Sequence, residues 1–274
     1  MSLAKRLFDF MIESSFIVAL SAFALIQVTC IRLGLPMDVS VSGFGFFGTI
    51  VGYNFVKYDA LARSGKPTLG RKLKAVIALS FASFLATAYF FFHLNILTQI
   101  VSIFVFGITA LYTLPFFPNK KNARDWAGLK IYFVAISWVG VTVILPVLNL
   151  GAQMDFDFYA MCVQRFILIV VLLFIFEIID LAWDDPHLRT VPQQIGVERT
   201  KWLGFALMIV WFVLELPKSH HIPLVSSCNI GFGVVIVAFL FFANQGRGKY
   251  YTTFWVEILP VFWWLAFLFF AEIR

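Results

Sequence analysis

The amino-acid sequence consists of long apolar stretches separated by short polar segments, and this alternation continues from end to end. Nine apolar windows can be drawn, most of them close to the ~20 residues that a helix needs to cross a bilayer. They cover residues 10–31, 39–58, 74–92, 96–117, 129–149, 163–183, 202–216, 223–243 and 253–271. The pattern predicts an all-α, polytopic membrane helical bundle of about nine transmembrane helices.

The composition supports this prediction, because 61% of the residues are hydrophobic and only 13% are charged. Soluble domains average about 45–50% apolar and about 25% charged residues. The short loops leave no stretch for a separate polar domain, so a soluble enzyme with a membrane tail is excluded. We therefore expect one membrane-embedded domain over residues 1–274. The three cysteines lie far apart within apolar stretches and are interpreted as small core residues.

The positive charges are distributed unequally between the two sides of the predicted bundle. Of the 21 Lys and Arg residues, 17 fall at the N-terminus or beside the ends of the second, fourth, sixth and eighth windows. Four fall on the other side. The positive-inside rule then predicts a cytoplasmic N-terminus and an external C-terminus. The net charge of +6 therefore reflects membrane orientation and not nucleic-acid binding. The polar loops are concentrated on the cytoplasmic side, where we expect any polar site.

Three carboxylates lie close together at the end of the sixth window. Glu177, Asp180 and Asp184 are spaced so that a helix places them on one face over two turns. Like charges near hydrocarbon are costly, and a hard divalent cation among them offsets that cost. Mg²⁺ takes carboxylate oxygens and completes its shell with water and substrate phosphate. The alternative is a hydrated helix end whose carboxylates pair with Arg189 or Arg199.

The segment from Phe176 to Gly196 resembles the second aspartate-rich motif of the UbiA-type intramembrane prenyltransferase superfamily. That motif reads N-D-x-x-D-x-x-x-D, followed by a short basic loop and a K-T-x-P-x-x-x-G pattern. Glu177, Asp180 and Asp184 align with its acidic positions, and 189–192 align with K-T-x-P. Nine helices with a polar cytoplasmic face are also the family's architecture. Further family-like segments are Lys66–Arg71, and Leu111–Thr113 with Lys120 and Lys121.

The first motif of the family, which holds a second Mg²⁺, is degenerate in this chain. In one register Lys57 and Ala60 occupy the key Asp positions, and in the other Phe55 and Tyr58 occupy them. The second metal site, as the family builds it, is therefore missing. Either Lys57 replaces that metal as a built-in cation, or the pocket has lost catalysis and only binds an isoprenoid.

The resemblance implies transfer of an isoprenyl group from an isoprenyl diphosphate to a lipophilic acceptor, in the cell (inner) membrane of a bacterium. One Mg²⁺ would be held by Glu177, Asp180 and Asp184, and Asp180, Asp184 and Lys57 would be catalytic. The acceptor stays open between an aromatic ring, a glycerol lipid and a haem-like ring. The residues expected to bind the diphosphate are Asn54, Tyr58, Lys66, Arg71, Tyr112, Lys120, Lys121 and Arg189.

Two other functions are compatible with the sequence. The first is a catalytically inactive isoprenoid-binding protein on the same fold, which binds prenyl diphosphate without turnover. The second is a proton-coupled membrane transporter that uses intramembrane carboxylates. The lack of a detectable repeat between the two halves of the chain argues against the transporter.

One further motif is interpreted structurally. Gly43, Gly45 and Gly48 spell G-x-G-x-x-G, the dinucleotide-binding pattern, but they lie inside an apolar window without a preceding strand. We interpret them as sites of close helix packing.

Overall fold

The computed structural model describes residues 3–63, 70–113, 130–184, 189–216, 223–248 and 250–272. Within these ranges the chain is helical and contains no strand, which confirms the all-α fold. Two π-helical turns, Gly140–Ile144 and Tyr251–Val256, join α6 to α7 and lead into α12. The helices are α1 Leu3–Glu13, α2 Phe16–Arg32, α3 Val39–Arg63, α4 Arg71–Phe91, α5 Ile96–Thr113, α6 Lys130–Val139, α7 Leu145–Asn149, α8 Phe156–Asp180, α9 Val191–Ile195, α10 Val197–Val213, α11 Pro223–Phe242 and α12 Glu257–Glu272.

Several of these helices match the length and composition of membrane spans. Among the described residues, six helical segments are long and apolar enough to cross a bilayer, and the bent pair α1–α2 makes a seventh. The apolar part of α5, Ile96–Thr109, is shorter, and α10 has 17 residues. Each predicted window therefore overlaps a helix, while nine spans and a cytoplasmic N-terminus stay predictions.

Helix α8 forms the centre of the bundle. Asp155 caps its N-terminus by accepting a hydrogen bond from the backbone N–H of Phe158 at 3.1 Å. Its residues from Ile167 to Ile179 belong to the largest hydrophobic core, together with side chains of α2, α6, α10, α11 and α12. Because α8 is surrounded by other helices, its backbone is held in the middle of the bundle up to its last turn.

Glycines allow α2, α3 and α4 to approach each other closely. A Cβ atom on Gly43 would lie 2.5 Å from the ring of Phe90, and one on Gly45 would lie 2.5 Å from Cδ1 of Ile26. These contacts agree with the interpretation of the G-x-G-x-x-G segment as a packing motif.

The two ends of the bundle carry different polar groups. At the end that carries Asp180, called the Asp180 end below, Lys201 and Arg247 donate to the last carbonyl oxygens of α11 at 3.1 and 3.0 Å. Helix α1 is also at this end, bent by 66° from α2 at Ser15, which has a left-handed backbone with φ 58°. The opposite end carries Arg32, and it is called the Arg32 end below.

Candidate functional site

The acidic residues of the predicted metal site lie at the last turns of α8. Glu177 is only 4% exposed, and its Oε2 accepts a hydrogen bond from the backbone N–H of Val191 at 3.0 Å. Asp180 ends α8 and is exposed, and Asp184 is half-buried. The N–H of Asp184 donates to the carbonyl oxygen of Asp180 at 2.9 Å. The helical turn therefore continues, and Asp180 and Asp184 lie on neighbouring turns of one face.

Glu177 has a clear structural role in this arrangement. The first N–H groups of a helix have no partner within it, and a carboxylate oxygen satisfies one of them. Helix α9 begins at Val191, so Glu177 joins the start of α9 to the side of α8. The N–H of Thr190 donates to Oε1 of Gln193 at 2.9 Å, which fixes the same helix start. One oxygen of Glu177 is therefore engaged by the backbone.

Arg189 precedes this helix start in a left-handed conformation with φ 48°. A non-glycine residue in that region costs of order 1–3 kcal/mol, and it persists only where the surroundings fix it. Gln194 Nε2 donates to the Arg189 carbonyl oxygen at 2.5 Å, and Arg189 is exposed. A basic side chain therefore follows Asp184 by five positions in the sequence, just before α9.

The structure does not form a complete metal site from these carboxylates alone. Across the described ranges, no three His, Cys, Asp or Glu side chains are grouped so that they hold a metal ion. Mg²⁺ commonly binds through one or two carboxylates and receives its other ligands from water and substrate phosphates. Asp180 and Asp184 have the oxygen chemistry for that kind of site, and Glu177 has at most one oxygen to add.

Asn54 on α3 carries an unsatisfied polar atom. Its side chain is 3% exposed, and Nδ2 donates to Oγ of Ser80 on α4 at 2.9 Å. Its Oδ1 is buried without a hydrogen-bond partner. A buried acceptor without a partner is unfavourable by about 1–3 kcal/mol. An oxygen of this kind suits a water molecule, a donor group of a ligand or a hard cation.

Lys57 and Tyr58 contact the end of α1. Lys57 Nζ donates to the carbonyl oxygens of Ile12 and Glu13 at 3.3 and 3.1 Å, and the Tyr58 hydroxyl donates to the Glu13 carbonyl oxygen at 2.8 Å. The last carbonyl groups of a helix have no partner within it and carry partial negative charge. Both residues therefore cap α1.

Helix α1 is also fixed to the start of the last span. The ring of Phe8 packs edge to face against Phe254 with centroids 4.9 Å apart, and Tyr250 donates to Oδ1 of Asp9 at 3.0 Å. This hydrogen bond and the negative charge of Asp9 raise the pKa of Tyr250. The contacts hold α1 across the Asp180 end of the bundle.

The remaining residues predicted to bind the diphosphate lie outside the described positions. Lys66, Lys120 and Lys121 lie outside the described residues, as do the side chains of Arg71 and Tyr112. Their predicted contacts with a diphosphate stay predictions.

Sequence reasoning missed a buried polar network at the Arg32 end. Arg32 Nη2 lies 2.8 Å from Glu215 Oε2, and both side chains are only 3% exposed. Gln164 and Asn229 donate to the Glu215 carboxylate at 3.0 and 2.7 Å. The indole N–H of Trp263 donates to the Asn229 Oδ1 at 3.2 Å. The network joins α2, α8, α11 and α12 to Glu215, which lies just beyond the end of α10.

Comparison with known proteins identifies the fold. No family model and no curated protein sequence matches the chain. An apo UbiA homolog from Aeropyrum pernix K1 matches with a TM-score of 0.67 at 14% identity, over 92% of this chain and 98% of that one. A UbiA homolog from Archaeoglobus fulgidus bound to GPP and Mg²⁺ matches with a TM-score of 0.65 at 12% identity, over 94% and 97%.

A structure of digeranylgeranylglyceryl phosphate synthase also matches, with a TM-score of 0.58 at 14% identity over 97% of this chain and 98% of that one. Identities this low establish likeness of fold and not of reaction. The resemblance seen in the sequence is confirmed at that level across nearly the whole chain. The chain is therefore a multi-pass integral membrane protein with the UbiA-type prenyltransferase fold.

Proposed function

We propose that this protein transfers an isoprenyl group from an isoprenyl diphosphate to a lipophilic acceptor in a Mg²⁺-dependent reaction. The observation that carries the proposal is the pair Asp180 and Asp184 on one continuing turn at the end of the central helix α8. Solved structures with this fold are bound to GPP or DMAPP together with Mg²⁺. The pair and the shared fold together favour a diphosphate site at the Asp180 end.

The metal is assigned to Asp180 and Asp184, with Glu177 contributing through the oxygen that does not accept from Val191. When bound, Mg²⁺ would neutralise charge that develops on the diphosphate as its bond to the allylic carbon breaks. The chain's own residues bind and orient the diphosphate and its metal. Arg189 supplies positive charge from the loop before α9. Asn54 offers an unsatisfied oxygen from α3 that would bind Mg²⁺ or a water molecule beside the diphosphate.

The other basic and polar residues complete the proposed diphosphate site. Lys57 would supply the charge that the missing second metal supplies in the family. In this structure its ammonium donates to the Glu13 and Ile12 carbonyl oxygens of α1 at 3.1 and 3.3 Å, and the second of these is longer than an ordinary hydrogen bond. We propose that a diphosphate replaces α1 as the acceptor for these N–H groups. The remaining residues proposed to contact the diphosphate are Tyr58, Lys66, Arg71, Tyr112, Lys120 and Lys121.

A second candidate is a non-catalytic isoprenoid-binding protein. One specific observation favours it: Glu177 and Lys57 both make hydrogen bonds to backbone groups. A cavity that has lost its chemistry keeps residues with structural roles. This candidate predicts that a prenyl diphosphate binds, with or without Mg²⁺, and that no pyrophosphate is released.

Pyrophosphate release tests the proposal. The purified protein in lipid nanodiscs is incubated with radiolabelled geranylgeranyl or farnesyl diphosphate, with magnesium or with EDTA. We expect release with magnesium that falls at least about 100-fold in the Asp180→Asn and Asp184→Asn variants, since charge stabilisation of this kind is worth several kcal/mol. The matched control is Glu198→Gln, an exposed carboxylate in the first turn of α10.

The outcomes separate the two candidates. Binding without release supports the isoprenoid-binding protein. Release that is equal in the wild type and both aspartate variants contradicts the assignment of the metal. A protein that shows neither binding of the prenyl diphosphate nor release of pyrophosphate would contradict the proposed function as a whole.

A further inference from the structure

A further carboxylate, from α12, lies within the membrane-spanning part of the Asp180 end. Glu257 begins α12, directly after the π-helical turn Tyr251–Val256, and it is half-buried. Its carbonyl oxygen accepts a hydrogen bond from Oγ of Ser21 on α2. Nearby, the rings of Phe23 and Trp264 pack edge to face with centroids 5.4 Å apart. Helix α2 thus holds this part of α12 in place, and π-helical turns occur frequently at functional sites.

The Glu257 carboxylate differs from the other carboxylates of the spans in its partners. Within the part of the chain that the structure describes, its side chain makes no hydrogen bond. The positive charge of Lys57 interacts electrostatically with its carboxylate. Glu215 is paired with Arg32, and Glu177 accepts from the start of α9. An ionisable group inside a membrane span is costly, and such groups commonly serve in function.

The proposed reaction releases a proton that a group with these properties can accept. As the C1–O bond of the allylic diphosphate breaks, its electron pair leaves with the diphosphate. The acceptor X–H then forms the C1–X bond and must lose its proton. Asp180 and Asp184 are assigned to Mg²⁺, and a metal-bound carboxylate is a poor base because the cation stabilises its charged form. A carboxylate outside the metal site is better placed to take this proton than the metal-bound pair.

We infer that Glu257 accepts the proton that the acceptor loses during prenyl transfer. This inference rests on the proposed function. Lys57, the residue proposed to contact the diphosphate, donates to the end of α1. The same helix contacts Tyr250 and Phe254, just before Glu257. Helix α1 therefore joins the proposed diphosphate site to the start of α12. The step balances: the prenyl diphosphate, the acceptor X–H and the Glu257 carboxylate give the prenylated acceptor, pyrophosphate and protonated Glu257.

The simpler role for Glu257 is that of a counter-ion that holds Lys57 in position. The two roles predict different effects of the Glu257→Gln substitution. If Glu257 is the base, Gln cannot accept the proton, so the rate of transfer falls while the affinity for the diphosphate is unchanged. A counter-ion, in contrast, acts through Lys57, and its loss changes the affinity for the diphosphate itself.

The experiment measures binding and transfer separately in nanodiscs. Binding uses geranylgeranyl diphosphate with magnesium, and transfer uses 4-hydroxybenzoate as a phenolic acceptor and a prenylglyceryl phosphate as a hydroxyl acceptor. Where neither is prenylated, water is the acceptor and the prenyl alcohol is measured. For Glu257→Gln we expect transfer to fall at least about 100-fold, the typical contribution of a general base, with the diphosphate Kd changed less than about twofold. Glu198→Gln is the control.

A conservative variant keeps the inference testable where Glu257→Gln fails to fold. Glu257→Asp retains the carboxylate but moves it by one methylene, and we expect about a 10- to 100-fold loss of transfer with unchanged Kd. Equal transfer in wild type and Glu257→Gln overturns the inference and leaves the proposed function intact. A loss of diphosphate affinity that matches the loss of transfer also overturns it, in favour of the counter-ion role. A wild-type protein that neither binds nor releases pyrophosphate overturns the proposed function first.

Discussion

The buried ion pair at the Arg32 end allows a quantitative prediction of stability. In the Glu215→Leu variant, Arg32 loses the carboxylate that lies 2.8 Å from its Nη2, in a site where both side chains are 3% exposed. The amide groups of Gln164 and Asn229 each also lose one acceptor. The substitution therefore leaves one buried charge and two buried donors to find new partners.

The magnitude follows from these contacts. Removal of one partner of a buried ion pair costs about 3–5 kcal/mol, since it leaves an uncompensated charge. Hydrogen bonds within membrane proteins contribute less, about 0.6 kcal/mol on average, because the unfolded state in the membrane also finds partners. We therefore expect Glu215→Leu to lower the free energy of unfolding by about 3 kcal/mol, at the lower end of the first range. Arg32→Met should cost a similar amount.

The double variant Arg32→Met with Glu215→Leu distinguishes the ion pair from simple loss of packing. It removes both charges, so its loss should be well below the sum of the two single losses, with a coupling of about 2–3 kcal/mol. The assay is unfolding by SDS in mixed micelles, followed by tryptophan fluorescence, with Glu198→Leu as an exposed control. Single losses below about 1 kcal/mol, or losses that simply add in the double variant, would refute the reasoning.

Three other substitutions test packing, capping and charge. Gly233→Ala should destabilise the protein by about 1–3 kcal/mol, because the new Cβ would lie 2.6 and 2.8 Å from two aromatic rings of α10. Gly231→Ala is the control, because its Cβ would meet no atom within 4 Å. Equal melting temperatures of the two variants in thermal unfolding would contradict this prediction. Glu177→Leu should lower the free energy of unfolding by about 1–2 kcal/mol and speed hydrogen exchange at the first N–H of α9. Glu177→Gln keeps an acceptor oxygen and should change both much less. Equal exchange rates in the two variants would contradict the capping role of Glu177. Lys57→Ala should weaken binding of geranylgeranyl diphosphate about tenfold, and an effect no larger than that of Lys249→Ala would show that Lys57 does not contact it.

The helical spans could be predicted from the sequence because a bilayer imposes a length and an apolar composition on each of them. The bounds differ where polar residues begin or end a helix. The predicted sixth window covers 163–183, while α8 covers Phe156–Asp180. Its first turn contains Asp157, which is buried but lowers the local hydropathy.

The position of the acidic residues at the end of α8 could also be predicted, because helical spacing within one element fixes their face. Partners distant in sequence could not. The end of α1 accepts from Lys57 across 44 or more positions, and Glu215 pairs with Arg32 across 183. A periodic pattern records which face of a helix is polar, but it carries no information on which helix lies opposite.

Equilibrium binding tests the central claim most directly. Geranylgeranyl diphosphate is titrated into the nanodisc-embedded protein at increasing magnesium, and its Kd is compared among the wild type, Asp180→Asn, Asp184→Asn and Glu198→Gln. The account predicts that magnesium tightens binding in the wild type and in Glu198→Gln, and that this effect is lost in both aspartate variants. Binding that does not depend on magnesium, or that keeps its full magnesium dependence in both aspartate variants, would contradict the claim that these two carboxylates form the site.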